Sequence, residues 1–321
     1  MPLLNLLARR AVTGLPTMLL VVLGAWLLLE FAPGDAADAY LAQTGGDAGF
    51  AAAMRENFGL AGSSGSRMAR YFGGLLAGDA GLSVIFNRPV LQVIQERIGI
   101  TVLLMGLSVA LAASLGSLLG GIAGARPAGA ADRALSLIAL GLLAMPNFWL
   151  GLILVVVFGV NLGWLPVSGL GPPGGAGTAA DTARHLILPA VSLGAGYMAL
   201  YMRTLRAGMV ETWRLDHVRA ARARGLSEMS VIWRAVARPA LLPVIVLLGQ
   251  QAGALFGGSV VVETVFGIPG MGRLAYEAVA GRDTLLLAGV VMTGAVVVIL
   301  ANLAADLLLR AVDPRISATD V

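Results

Sequence analysis

Uncharged runs of bilayer length constrain this chain more than any motif does. A membrane helix needs about 20 mostly apolar residues. Six such windows follow one another along the 321 residues: 11–29, 98–125, 134–158, 185–202, 239–262 and 284–305. The third stands at the front of an uncharged run that continues to residue 180. Core helices of soluble domains seldom run so far without a charge. Composition agrees, with 58% hydrophobic and 12% charged residues, where a soluble domain carries about 25% charged. The expected fold class is all-α and integral to the membrane, with six transmembrane helices.

Absent residue types narrow the chemistry. All 22 basic residues are arginine, so a standard phosphate loop, which needs a lysine, is excluded. With no cysteine there is no disulfide and no thiolate metal site. The net charge of +4 is small and the arginines lie between apolar spans, which argues against nucleic acid as a partner. No carboxylate pair, Ser/His/Asp set or metal cluster stands out, so no catalytic residue, metal site or cofactor is assigned to this chain.

Arginines in short loops set direction. With the N-terminus inside, fourteen arginines fall on the inner side: Arg9, Arg10, Arg126, Arg133, eight from Arg203 to Arg238, Arg310 and Arg315. The short outer loops keep Arg184, Arg273 and Arg282. Both termini are therefore expected to be cytoplasmic. The first apolar run exceeds the roughly 7–15 residues of a signal-peptide core, so it is expected to stay as helix one. Residues 32–97 then form an extracytoplasmic segment of mixed polarity. Tyr71, Phe72, Leu75 and Leu76 have helical spacing in it, which suggests a small capping structure. The Gly/Pro-rich stretch at 169–178 predicts an irregular loop.

The most basic part of the chain lies on the expected inner side between windows four and five. Residues 214–238 carry six arginines against Asp216 and Glu228. Local signals predict two short helices at an angle. Gly225 suits the left-handed residue that ends the first. Ser227 is a candidate N-cap for the second, with Glu228 near its positive end. Pro239 cannot continue that helix without losing a hydrogen bond. Two readings are open. The stretch sets topology and touches anionic lipid, or it is a docking surface carried by Val218, Ala221, Val231, Ile232 and Trp233. Small residues at Ala220, Ala221 and Ala223 would let a partner approach.

The string "RAARARG", residues 219–225, followed by Leu242 and Pro243, resembles the cytoplasmic loop of ABC importer permeases, whose motif reads Glu-Ala-Ala, three residues, Gly, then Leu-Pro. Arg219 stands where that motif has Glu. More of the chain is similar to one branch, the dipeptide/oligopeptide/nickel permeases, and to the first of their two permease subunits. The similar strings are "FAPGDAA" (31–37), "LAGDAGLS" (76–83), "MPNFWLG" (145–151), "LGWLPVSG" (162–169), "VVVETVFGIPGMGRLAYEAVAGRD" (260–283) and "NLAADLLLRAVDPRI" (302–316). The chain departs from the branch at 58–71 and after Asp283.

The resemblance implies a type I ABC importer permease in a bacterial inner membrane. Its layout is 1–31 as tail and helix one, 32–97 outside, and 98–321 as helices two to six with a coupling loop at 210–240. It implies a second homologous permease, two ATPase subunits that hold ATP and Mg, and an extracytoplasmic substrate-binding protein, all within membrane lipid. It places ATPase docking on Arg219, Ala220, Ala221, Gly225, Leu226, Ser227 and Glu228. Di- or oligopeptides are the expected cargo; nickel or a metal chelate, glutathione and opine-like solutes are alternatives. A carrier working without an ATPase is the rival of a different class.

Other polar residues keep two readings each. Asn147, Gln250, Gln251 and Asn302 lie within apolar windows, where they hydrogen-bond between helices or line a polar path. Resemblance favours Gln250 and Gln251 for the path, with Asn147 a further candidate. Phe266, Pro269 and Gly270 belong to a tight turn, or to an outer gate or binding-protein contact. His185 and His217 are solvated loop histidines or metal ligands. Glu30 and Asp306 sit at window ends.

Overall fold

The computed structural model describes residues 2–31, 34–44, 48–58, 60, 62–171 and 177–312. Part of the 169–178 loop, Ala32 and Pro33 of the "FAPGDAA" string and the inner-side Arg315 lie outside these. Among the described residues the chain is mostly helical. Its elements are α1 (Pro2–Glu30), α2 (Ala36–Thr44), α3 (Ala48–Asn57), α4 (Ser64–Leu76), β1 (Leu82–Ser83), β2 (Arg88–Pro89), α5 (Val90–Ala125), α6 (Ala130–Ala144), α7 (Asn147–Asn161), α8 (Ala179–Thr212), α9 (Asp216–Ala223), α10 (Glu228–Gln250), α11 (Ala252–Val265), α12 (Met271–Ala280) and α13 (Thr284–Val312).

Each of the six windows falls on helix, but not always on one helix. Among the described residues four helices are long and apolar enough to cross a membrane: Val90–Ala125, Ala179–Thr212, Glu228–Gln250 and Thr284–Leu307. The third window is broken. α6 and α7 meet at 108°, which makes a fifth span only if the bent pair counts as one. The break has a local cause. Met145 takes extended backbone, φ −86 and ψ 126, as a residue before proline prefers; Pro146 follows. The fifth window also breaks, at Gln250 and Gln251 between α10 and α11. The first window is represented by the apolar stretch Val12–Leu28 of α1.

The chain divides into two compact units, residues 1–101 with 269–300 and residues 102–268 with 301–321. In the first unit, Arg55 of α3 donates from Nε to Asp35 Oδ2 (2.6 Å) and from Nη2 to Asp38 Oδ1 (2.6 Å). Burial is the largest single influence on Asp35 and opposes its charge, but Arg55 and the backbone amides of Asp38 and Ala37 together outweigh it and hold that carboxyl below its usual value. Ser63 caps α4, which carries the expected Tyr71 and Phe72.

β1 and β2 pair antiparallel, Leu82 with Pro89 and Ser83 with Arg88, around a turn with Asn87 at φ 49. Asp283 latches this hairpin. Its Oδ2 accepts from Ser83 Oγ (2.7 Å) and the Ile85 amide (3.2 Å), and its Oδ1 caps α13 through the Leu286 amide (3.0 Å). Burial pushes the Asp283 carboxyl above its ordinary value. The amide of Met271 at the start of α12 donates to Thr101 Oγ1 (2.7 Å).

α8 is the axis of the second unit. α5 crosses it on Gly116, Gly120 and Gly124, spaced one turn apart. A Cβ on Gly116 would stand 2.6 Å from Met198 O, and one on Gly120 2.7 Å from Met202 O. This is the small-residue contact by which apolar helices approach closely without a hydrophobic drive between them. At the start of α6, Asp132 is buried and receives Arg206 of α8 in a two-pronged pair, Nε to Oδ1 and Nη2 to Oδ2. The Ala128 amide adds a third bond to Asp132 at 2.8 Å. Glu263 in α11 is also fully buried, one residue beyond the fifth window.

Candidate functional site

The basic stretch folds into a helical elbow whose geometry follows from its residues. α8 ends at Thr212, and Trp213 donates from Nε1 to Gly124 O at the end of α5 (2.9 Å). α9 opens with Asp216 in its first turn and closes with Arg222 in its last, the arrangement its dipole favours. The expected stop at Gly225 is present. Gly225 has φ 80, its amide donates to Arg222 O (2.9 Å), and the Leu226 amide reaches back to Ala221 O (3.4 Å). That pair of bonds is the Schellman cap, which needs a left-handed residue. Ser227 caps α10 through the Ser230 amide, and Glu228 lies in the first turn of α10.

Side chains lock the two arms. Arg222 donates from Nε to Glu228 Oε1 (3.0 Å) and from Nη2 to Oε2 (3.3 Å). Its guanidinium lies 4.8 Å from the centre of the Trp213 ring, a cation–π distance. His217 has a role that neither sequence reading anticipated. Its Nε2 donates to Ala235 O (2.9 Å). Ala235 is four residues before Pro239, which has no N–H to return to that carbonyl. The helix accommodates this proline with a wide π-turn at Val231–Ala237, and His217 satisfies the freed oxygen. Among the described residues no group of three metal-ligating side chains occurs.

Burial sorts the expected docking residues into two sets. Val218, Ala221 and Val231 are buried in a cluster with Tyr201, Leu205 and Met209 of α8, so they anchor the elbow to its own chain and do not face outward. Arg219, Ala220, Ala223, Gly225, Leu226, Ser227 and Glu228 are exposed. So are Met229 and Trp233, at 64% and 56%. The Arg219–Asp216 contact at 3.3 Å is almost fully exposed and contributes little.

The other expected site residues are dispersed. Asn147 is half-buried; a Cβ on Gly196 of α8 or Gly258 of α11 would lie 3.8 Å from its amide group. Its backbone oxygen accepts from Ser192 Oγ (2.7 Å). Gln250 is exposed and Gln251 half-buried, both at the α10–α11 break. Phe266 is buried, and its carbonyl accepts from Gly169 N (2.9 Å). Gly267 at φ 62 closes α11 with the same cap that ends α9. Pro269 is half-buried and Gly270 buried. The sequence reading missed the Asp132–Arg206 pair and Glu263. In the sequence Arg206 bears only on topology, and Glu263 is a carboxylate directly after an apolar window.

Residues 116–318 match the family described as binding-protein-dependent transport system inner membrane component. The chain belongs to that family. This permease is 35% identical over 313 residues to the oligopeptide transport system permease protein AppB of Bacillus subtilis, covering 96% of this chain and 98% of that one. It is 36% identical to the glutathione transport system permease protein GsiC of Pectobacterium atrosepticum, covering 98% and 99%. A putative peptide permease of Brucella ovis is 36% identical, covering 97% and 98%. The permease is thus a non-catalytic, multi-pass inner-membrane subunit of an ABC importer.

Proposed function

We propose that this permease carries short peptides, glutathione among them, through a path it forms with a second homologous permease. The names of its relatives support a peptide-like cargo. Two ATPase subunits, which hold ATP and Mg, supply the energy, and an extracytoplasmic binding protein delivers the substrate. Six spans cross the membrane: α1, α5, the bent α6–α7 pair, α8, α10 with α11, and α13. Both termini are cytoplasmic, residues 32–97 lie outside, and residues 98–321 form the core.

The observation that carries the mechanism is the locked elbow. An ATPase groove takes its exposed face, Arg219, Ala220, Leu226, Ser227 and Glu228, while Val218 and Ala221 transmit the motion to α8. Gly225 sets the angle between the arms. Asn147, Gln250 and Gln251 border the path. Phe266, Pro269 and Gly270 shape the outer end by packing. Each nucleotide state favours one of two conformations by its differential contacts.

The test is uptake of a labelled dipeptide and of glutathione by the reconstituted complex. Gly225→Pro, or deletion of residues 226–230, is expected to abolish ATP-driven uptake while the chain still inserts. Normal uptake by both variants would remove the coupling assignment. Uptake by this chain alone, dissipated by an ionophore, would make it a secondary carrier.

A further inference from the structure

The end of α5 opens on a groove that the transport reading does not use. It lies within the second unit and has a volume of about 390 Å³, inside the range of roughly 300–1,000 Å³ that ligand sites occupy. One wall is Leu118, Gly121, Ile122 and Ala125 of α5, whose spacing puts them on one side of the helix. The other is Met229, Ile232 and Trp233 of α10, and buried Met209 of α8 forms the floor. The walls stand apart: a Cβ on Gly121 would meet no atom within 4 Å. Leu118 and Ile122 are 52% and 47% exposed, and Met229 and Trp233 more so. Two residues expected to dock a partner, Ile232 and Trp233, thus line a groove with α5.

Position and charge say what fits there. The α5 wall belongs to the apolar window 98–125, and Leu107 and Leu115 on the same side of that helix are exposed too. This wall therefore continues the lipid-facing surface of a span. The uncharged run ends at Ala125, and Arg126, the first charge after it, lines the end of the groove. That is the depth at which hydrocarbon gives way to headgroups and tryptophan is enriched. Arg126 is exposed, and its side chain makes no hydrogen bond or ion pair among the described residues. The acids beside the lining are engaged, Asp132 by Arg206 and Glu228 by Arg222. Glu211, two residues from Met209, points to the opposite side of α8. An apolar groove with an uncompensated cation at its interfacial end is complementary to a hydrocarbon chain with an anion at its end. Basic pockets between membrane helices hold lipid headgroups in this way. A soluble anion would leave the apolar walls unused, and an ATPase would have to reach the α5 wall inside the span.

We propose that this groove binds an anionic phospholipid, one acyl chain lying between α5 and α10 and the headgroup phosphate accepting hydrogen bonds from Arg126. The site rests on α5 crossing the membrane and not on cargo or coupling, because binding is read without ATP or uptake.

The experiment uses the full chain with its co-purifying subunits, stripped of native lipid in mild detergent. Native mass spectrometry follows titration with phosphatidylglycerol and with phosphatidylcholine of the same chains. Phosphatidylglycerol is expected to bind at least about tenfold more tightly, the worth of a charge-assisted hydrogen bond. Arg126→Gln, at an exposed position, should remove that preference. Gly121→Phe should fill the groove and lose the site, while Gly106→Phe, also in open space on α5, should bind like the parent. Equal binding of the two lipids, an unchanged preference in Arg126→Gln, or equal behaviour of Gly121→Phe and Gly106→Phe overturns the site. So does displacement of the lipid by glycerol phosphate, which would make the ligand a soluble phosphate. Lipid bound only once the ATPases are removed would assign the groove to the ATPase instead.

Discussion

The Asp132–Arg206 pair should respond asymmetrically to the loss of each partner. Asp132 is 2% exposed, whereas Arg206 is 34% exposed. Arg206→Met strands a buried carboxylate with only the Ala128 amide at 2.8 Å and Ser136 Oγ at 3.3 Å. Breaking a fully buried pair costs about 3–5 kcal/mol. Partial exposure of Arg206 lowers that to about 2–4 kcal/mol. Asp132→Asn leaves a guanidinium that already reaches solvent, and keeps the side chain's shape. Its cost should be about 1 kcal/mol. The double variant should be no worse than about 1 kcal/mol, because no charge is left buried without compensation. The assay is intrinsic-fluorescence melting of the purified permease assembly, read as a double-mutant cycle. Additive losses, or a larger loss in Asp132→Asn than in Arg206→Met, would refute the reasoning.

Other elements give sharper local outcomes. Gly120→Leu puts side-chain carbon where even a Cβ lies 2.7 Å from Met202 O. Overpacking of that kind costs about 1–3 kcal/mol, so melting should fall, while the same change at Gly121, which faces open space, should leave it unchanged. Asp283→Ala deletes the acceptor for Ser83, Ile85 and Leu286 and should destabilise by about 1–3 kcal/mol, whereas Asp283→Asn should recover part of the loss. Because burial raises the Asp283 carboxyl, the folded state holds that proton more tightly. Its contribution therefore falls as pH rises above the ordinary carboxylate range, and Asp283→Asn should lack this slope. Asp35 is lowered instead, so the Arg55 clamp is complete above the ordinary range and is lost as pH falls below it. Hydrogen exchange across Ala36–Thr44 should show protection lost on acidification, and equally lost at neutral pH in Arg55→Met.

Span-length apolarity made the helices legible, because a lipid-facing helix must announce itself over its whole length. Their interruptions were legible only where the chemistry is local. Pro146 carries the signal for the α6–α7 bend, since the residue before a proline avoids helix, yet an uncharged run through it reads as one span. The elbow was readable for the same reason: Gly225, Ser227 and Pro239 each act within a turn of themselves. Which face of α9 is buried was not. Ala220 and Ala221 are neighbours of one type, and only packing against Tyr201, Leu205 and Met209 separates the exposed one from the buried one. The Asp132–Arg206 pair joins residues 74 apart, a relation no local pattern contains. The groove that ends at Arg126 joins α5 to α10 in the same way.

The elbow's stiffness determines where a push on it would be felt. Two ties bridge α9 and α10, the Arg222–Glu228 pair and His217 on Ala235 O, and the Schellman bonds at Gly225 fix the turn between them. Val218, Ala221, Val236, Ala240 and Val244 share one buried cluster with α8. A force on α9 therefore passes into α10, across its π-turn at Val231–Ala237 and the turn at Leu241, and along the helix to its end at Gln250 and Gln251. Those are the polar residues proposed to border the path. His217 is the tie that can be cut without disturbing the apolar cluster. His217→Ala leaves the Ala235 carbonyl without its donor and loosens α9 from α10, at a cost of about 1–3 kcal/mol locally. ATP-driven uptake should fall while ATP hydrolysis continues, and His217→Gln, which keeps a donor, should restore much of it. If both variants transport like the parent, the stiffness of the elbow resides in the Gly225 cap and the Arg222–Glu228 pair, and His217 has no part in the relay.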